Sequence, residues 1–458
     1  MFVLSQWFAE NLLFLVLQDS VMFWGSDSVS EINGKPIDRM ALIHIDETTH
    51  REWGSPLLTP RDHLKQLIEQ AVKQGVKTIV VDIDLAWSAD GCIHSGEKIA
   101  CPITDKQSEE TLGLYLKNLN ESKEPNTPIV ILTRLYRYPL KNNQLDSSNF
   151  LERAPSFLDQ WLQEEKNVFW ASTFFVPSED RVLRHWRLAP LICENNHLNI
   201  VPSAALLAAL AQLSDNPQFI LQNTKRKWNA WAEKHSCDSS QGNDLKQLCQ
   251  KMDCNDLKVT LPAHEHWREK ASEIYLQTAK IKEKIIYRFA PIDKIKDQRI
   301  SLIDTYSVNN FLEQKPDLKN QLVFIGATHS LSGDRHPIPI RKKEVDGVYV
   351  LMNATDTLLR IGHLKELPKE GTIALIIFTV MITALVFTFY EVITAFLLAT
   401  ILSGAVLYLL GAFLLHSGYE MQIALPLLTL NFVHILWHYI ENFKEFHHRV
   451  KGKQHHEH

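Results

Sequence analysis

The chain has 458 residues, 45% of them hydrophobic and 22% charged, with a net charge of -5 at pH 7. That length bounds the molecule at one large soluble domain or two small ones, beyond any apolar anchor. The mildly acidic balance excludes a chain whose affinity comes from neutralising phosphates, so no nucleic-acid partner is expected.

Residues 1–24, MFVLSQWFAENLLFLVLQDSVMFW, are apolar but carry Glu10 and Asn11 in their middle. Without a basic leading region or a small-residue cleavage site they read poorly as a signal peptide. A helix lying in a membrane interface and a partial anchor both remain open for them. Residues 25–369 have the mixed polar and apolar make-up of a globular domain. Met40 to Ile45 (MALIHI) reads as a buried strand, and Pro60 to Gln74 places Leu64, Leu67, Ile68 and Ala71 at helical spacing before Gly75 stops it. Lys77 to Ile83 predicts the next strand, Ser108 to Leu119 a helix, and Pro128 to Leu132 a third strand. This alternation implies an α/β fold with a mainly parallel sheet and helices on both faces. Val168 to Phe175 and Arg181 to Leu191 read as an antiparallel extension, and Pro202 to Leu213 as an alanine- and leucine-rich helix. Residues 214–284 are polar, hold Cys237, Cys249 and Cys254, and read as an insertion outside the core. Its cluster Lys225-Arg226-Lys227 beside Trp228 and Trp231 reads as a solvated helix face more readily than as a phosphate contact. The sheet resumes at Gln321 to Ile325, and Val348 to Arg360 (VYVLMNATDTLLR) predicts an amphipathic helix aimed at the membrane.

From 370 to 440 the chain turns apolar. Thr372 to Tyr390, Val392 to His416 and Met421 to Ile440 are each long enough to cross a roughly 30 Å hydrocarbon layer as helix. We read a bundle of three transmembrane helices with tight turns at Glu391 and Glu420, where these carboxylates reach headgroups and need no transport role. An odd number of spans puts the domain and the tail on opposite faces. Lys444, Arg449, Lys451 and Lys453 favour a cytoplasmic tail, 441–458, under the positive-inside rule, although Arg360, Lys365 and Lys369 weaken the test. All six cysteines, including Cys193, precede the spans, as an oxidising compartment permits. Cys92 and Cys101 bracket the loop GCIHSGEKIAC and are expected to form a local disulfide. The localisation expected is a multi-pass inner-membrane protein with its large domain periplasmic. His447, His448, His455, His456 and His458 in the tail suit solvated surface histidines better than a zinc or nickel site.

The order ALIHIDETT, Arg61 opening a helix, GVKTIVVDIDL, LVFIGATHSLSGDRHPIPI and DGVYVLMNATDTLL resembles the CHASE family of extracellular sensor domains, second type. Those domains are associated with cyclases, histidine kinases, serine/threonine kinases and diguanylate cyclases. The match covers roughly Trp24 to Leu367 and runs on into three apolar helices. The family usually carries a catalytic output domain after the last span, whereas eighteen residues follow Ile440 here, too few for a domain. The resemblance therefore implies a sensor module without an effector of its own.

Ligands of open α/β sheets collect beyond the carboxyl ends of the strands. The residues expected on that rim are Asp46, Asp82, Asp84, Arg134, Gly326, Thr328, Asp334, Arg335 and His336. Two readings of the rim are open. Its carboxylates hold a hard cation, or they are neutralised by Arg61, Arg134 and Arg335, and the second is the commoner. A further reading has Asp46 and Asp334 simply tying loops to backbone amides. No catalytic spacing is present. His264-Glu265-His266 lacks the separation that puts two imidazoles on one helix face, Gly91 to Lys98 has Glu97 where a phosphate loop needs Lys, and no GxSxG elbow occurs. The expectation is a protein that is not an enzyme, with no cofactor and no metal. Its partners would be the membrane, a separate effector or assembly protein, and further copies of itself. Its function would be relay of ligand or partner binding, the alternative being a static docking component.

Overall fold

A computed structural model describes residues 40–86, 92–94, 97–99, 106–137, 140–141, 144–145, 151–178, 180–194, 197–234, 257–264, 267–268, 270–275, 282–287, 303–339 and 344–390, with scattered positions from 394 to 420. These fall into two compact units, one ending at His363 and the other beginning at Leu364.

The first unit is built on one sheet. β1 (Met40–Ile45), β2 (Thr78–Asp82), β3 (Ile129–Arg134), β4 (Val168–Ser172), β5 (Asp304–Ser307) and β6 (Leu322–Ala327) lie in the order β4-β3-β2-β6-β1-β5. Every pairing in it is parallel. Register explains why β1 to β4 and β6 read as apolar without alternation. Ile43, Ile325, Val81, Leu132 and Trp170 align across the sheet and point to one face, while Leu42, Phe324, Val80, Ile131 and Phe169 point to the other. Both faces are covered, so both rows are apolar.

The first face is covered by α2 (Arg61–Lys73), α3 (Lys106–Glu121) and α6 (Val308–Gln314), which follow the short α1 (Glu47–Glu52) in the order named. α2 buries the expected Leu64, Leu67, Ile68 and Ala71. The second face is covered by α4 (Ala204–Leu213), α5 (Pro217–Ala232) and α7 (Gly347–Arg360). α4 is buried along its whole length, and its alanines allow close packing of its neighbours.

Three expectations are corrected. Val168 to Ser172 is the parallel edge strand β4 rather than part of an antiparallel pair. Only Phe175–Pro177 and Leu183–Arg187 pair antiparallel, in a small separate sheet. The stretch 214–284 is not wholly outside the core, because Leu221, Trp228 and Trp231 of α5 sit at helical spacing and are buried against the sheet's second face. α7 is not amphipathic toward solvent. Every residue from Gly347 to Leu359 is buried. Its polar side chains fold back on the helix, Asn353 Nδ2 to Tyr349 O at 2.6 Å and Thr355 Oγ1 to Leu351 O at 2.9 Å.

Edge strand β4 is held at its entry by Asn120, whose Oδ1 accepts the amides of Lys166, Asn167 and Val168. Along β4 the outward amides of Val168, Trp170 and Ser172 are taken by Asn120 Oδ1, Glu165 Oε1 and Pro202 O, each at 3.0 Å. Cys193 is disulfide-bonded. Cys92 begins a short hairpin strand, and Cys101, its expected partner, lies outside the described residues.

The second unit contains α8 (Lys369–Phe389), whose 21 residues are the one described helix long and apolar enough to cross a membrane. Ile373, Ile377, Met381, Leu385 and Phe389 along it are exposed. The hydroxyls of Thr372, Thr379 and Thr388 donate to the carbonyls four residues back, so no side-chain polar group on those turns is left without a partner. The second expected span has helical residues at scattered described positions, and the third lies outside the described residues. Lys365–Glu366 pairs in parallel with Tyr419–Glu420.

Candidate functional site

At the end of β1 the chain leaves the sheet through Asp46, whose Oδ1 accepts from Thr49 N at 2.8 Å and caps α1. The cap aims Glu47 at the loop after β6. Its Oε2 there accepts from Ser330 N at 3.0 Å and Ser330 Oγ at 2.9 Å, and the carboxyl is held below the usual carboxylate range by those bonds. Thr328 on the same loop is hydrogen bonded through Oγ1 to His44 Nδ1 at 2.9 Å. Burial pushes the His44 imidazole down, against the pull of Asp46. Next to them the buried rings of His50 and His329 stack with centroids 3.8 Å apart. Burial first, then His50, pushes His329 down, while Glu47 pulls it up.

Asp82 ends β2 opposite Gly326 of β6. Its carboxyl is pushed up to about 7, first by burial and then by the Asp334 carboxylate. A hydrogen bond to Thr133 and the nearby His336 act the other way without cancelling this. His336 Nε2 is itself 2.7 Å from Asp334 Oδ1.

The head of α7 is fitted between these groups. Gly326 must be glycine, because a Cβ there would lie 2.7 Å from Val348 Cβ. Gly347 must be glycine too, because the Asp334 carboxylate occupies the space a side chain would need, and Gly347 N donates to Asp334 O at 2.8 Å. Asp346 stands at the N-cap position without capping through its side chain. Its Oδ1 is 3.4 Å from Arg335 Nε, close enough for an ion pair but outside hydrogen-bond geometry. Burial raises the Asp346 carboxyl, with Arg335 opposing and Asp334 reinforcing. Asp82, Asp334 and Asp346 therefore crowd the head of one buried helix, whose dipole favours negative charge, while burial disfavours it at Asp82 and Asp346. Asp82 among them takes up a proton near neutrality. Among the described residues, no three His, Cys, Asp or Glu gather closely enough to hold a metal ion.

The other expected rim residues lie elsewhere. Asp84 is exposed, its Oδ1 accepting from Ala86 N at 2.8 Å, and it helps to stabilise the charge of Arg61. Arg61 is fully buried and lowered to about 10 by that burial, with Glu109 and Asp84 opposing. Arg134 turns away from Asp82. Nη2 donates to both Asp159 oxygens, at 2.7 and 2.5 Å, Nε donates to Ala154 O at 2.8 Å, and the guanidinium lies 4.6 Å from the Trp170 ring centre. Arg61, Arg134 and Arg335 thus face different acids.

Sequence reading passed over Asp346, Thr133, His44, Glu47, His50 and His329. The Asp346-Gly347 pair before an apolar run was a readable signal for a helix start. The histidine stack joins residues 279 positions apart and had none.

A family model described as the CHASE2 domain matches residues 1–386. No curated protein and no solved structure matches the chain.

Proposed function

Because this chain belongs to the CHASE2 domain family, a family of extracellular sensor domains, we propose that it is a membrane-anchored extracytoplasmic sensor that passes a change at the head of α7 through its apolar helices to an effector protein. The observation that carries the reading is Asp82, a carboxyl held near neutrality by burial and by Asp334, whose own carboxylate packs on the first residue of α7. A proton, a donor or a partner side chain that engages Asp82 removes the repulsion on Asp334 and shifts the preferred seat of the helix. Only such a differential affinity between two arrangements drives a relay. Eight residues connect Arg360 to Lys369, where α8 begins. Anchoring is supported by α8 itself. The parallel pairing of Lys365–Glu366 with Tyr419–Glu420 brings the chain back to one place after α8, as an even number of crossings between them requires.

The rival reading is a static docking component, and it draws on the burial of α7 on all sides. Hydrogen exchange on the full-length protein in lipid nanodiscs, combined with thiol labelling of a Phe389→Cys variant, separates the two. Relay predicts that Asp82→Asn changes both the protection of Gly347 to Arg360 and the labelling rate at position 389. A change confined to the loop before Gly347 sinks relay and leaves docking.

A further inference from the structure

The loop that leaves β6 is gripped residue by residue by β1 and α1, and each grip involves a titratable side chain. Thr328 Oγ1 meets His44 Nδ1, the ring of His329 lies on that of His50, and Ser330 is bound by Glu47. The ring pair is the most enclosed of the three. Its imidazoles are parallel to within 5°, and His50 and His329 are 3% and 7% exposed. His50 Nε2 and His329 Nδ1 are both buried with no hydrogen-bond partner among the described residues. A neutral imidazole carries hydrogen on one nitrogen only, whereas the imidazolium carries it on both. Whichever tautomer His329 has when neutral, its protonated form therefore holds a buried, charged N–H at Nδ1 without an acceptor. His50 cannot supply one, because the rings are stacked and imidazole nitrogens accept in the ring plane. The closed packing thus excludes the proton, and its uptake requires the rings to part.

We propose that the stack of His50 on His329 is an acid-released latch, in which protonation of His329 parts the rings and frees the segment from Thr328 to Ser332 from α1. The charged groups around it set the direction. Glu47 of α1 faces His329 and attracts its imidazolium, but Glu47 is also bound to Ser330 and paired with Arg51 at 3.2 Å. Burial and His50 act the other way and prevail, so the closed latch holds His329 below its ordinary 6.5. On β1, Asp46 is turned to the amide of Thr49 and acts on His44. His44 Nδ1 keeps Thr328 Oγ1 in either charge state, because a hydroxyl both donates and accepts. Glu52, at the end of α1, is taken by Asn309 of α6, and Asp334, further along the loop, by His336. The open state thus binds a proton that the closed state does not. Closure is complete above 6.5 and is lost as pH falls through the lower closed value. Opening needs His329 and not Asp82, so the latch stands independently of the relay through α7.

Hydrogen exchange read by mass spectrometry on the full-length protein in lipid nanodiscs tests the latch at pH 7 and pH 5, with rates corrected for the intrinsic effect of pH. The wild-type segments Glu47 to Ser55 and Thr328 to Ser332 are expected to lose protection about tenfold between the two values, as uptake of one proton on opening implies. The central strands β2 and β3 are expected to keep theirs. His329→Phe leaves a ring on His50 and removes the proton site, and is expected to keep both segments protected at pH 5. Glu47→Gln leaves an acceptor for Ser330 and removes the attraction on the imidazolium, and is expected to retain the loss at pH 5. Wild-type protection that is equal at the two values overturns the latch, whether or not either variant folds. It is also overturned if β2 and β3 lose protection equally, if His329→Phe still opens at pH 5, or if Glu47→Gln abolishes the response, which assigns the opening to that carboxyl. A failed relay in the Asp82→Asn protein with the latch response intact counts against the relay alone.

Discussion

The head of α7 and the open cavity that Arg134, Asp159, Glu165 and Lys225 line beside β4 use the same kinds of residue in opposite ways. At the head of α7, acids are crowded against one another and against a helix, and nearby donors and bases only partly relieve them. In the cavity wall, acids are matched to bases, Asp159 to Arg134 and Glu165 to Lys225. Crowding of like charge makes an element responsive to protons, whereas matched ion pairs hold in place the side chains they join.

The most drastic way to break this comparison is Phe324→Ala. Phe324 is fully buried in the central strand β6, and its loss is expected to cost about 4 kcal/mol and to weaken both regions together, read by thermal unfolding of the detergent-solubilised protein. Gly347→Ala is more selective. The added methyl meets the Asp334 carboxylate, so about 2 kcal/mol of stability should go, with faster hydrogen exchange at the start of α7 and unaltered exchange in β4. If β4 loses protection as well, the two regions are coupled and the comparison fails.

Two further variants sharpen the contrast through pH. The Asp82 carboxyl is raised from 3.8 to about 7, so its contribution is full below 3.8 and is lost as pH rises through about 7. Asp82→Asn is expected to remove that alkaline loss, stabilising the protein by about 2 kcal/mol at pH 8 and by almost nothing at pH 4, as denaturant titrations at the two values would read. His44 and His329 are lowered from 6.5 by burial, so their contribution is full above 6.5 and is lost as pH falls through their lower folded values. His329→Phe should keep the stacked shape and flatten the acid limb, with the alkaline limb unaltered. An acid limb unchanged in that variant would assign it to other groups.

Much of the sheet was legible because β1, β2, β3 and β6 are short apolar runs between helical patterns, and that periodicity needs no tertiary knowledge. Strand order was not legible. β6 sits between β1 and β2 although its sequence comes more than two hundred residues after either, and nothing local specifies that register. β5, with the sequence Asp304-Thr-Tyr-Ser307, escaped notice because an exposed edge strand is free to be polar. α5 escaped because its surroundings are polar, yet Leu221, Thr224, Trp228 and Trp231 already described a buried stripe. Of the expected rim, Asp82, Gly326, Asp334, Arg335 and His336 do meet near α7. Arg134 was misjudged because the acid it serves, Asp159, lies on a turn whose position depends on how β4 docks. The unpartnered nitrogens of the histidine stack were invisible as well, since a missing partner is a property of three-dimensional surroundings.

The closure of the outward amides on β4 has a consequence for self-assembly. Open sheet margins invite strands from neighbouring molecules and are a common route to aggregation. With Asn120, Glu165 and Pro202 already occupying the positions a foreign carbonyl would take, that flank offers no template for β-augmentation. Copies of this chain that meet along that flank must do so through side-chain surfaces rather than by extending a shared ribbon.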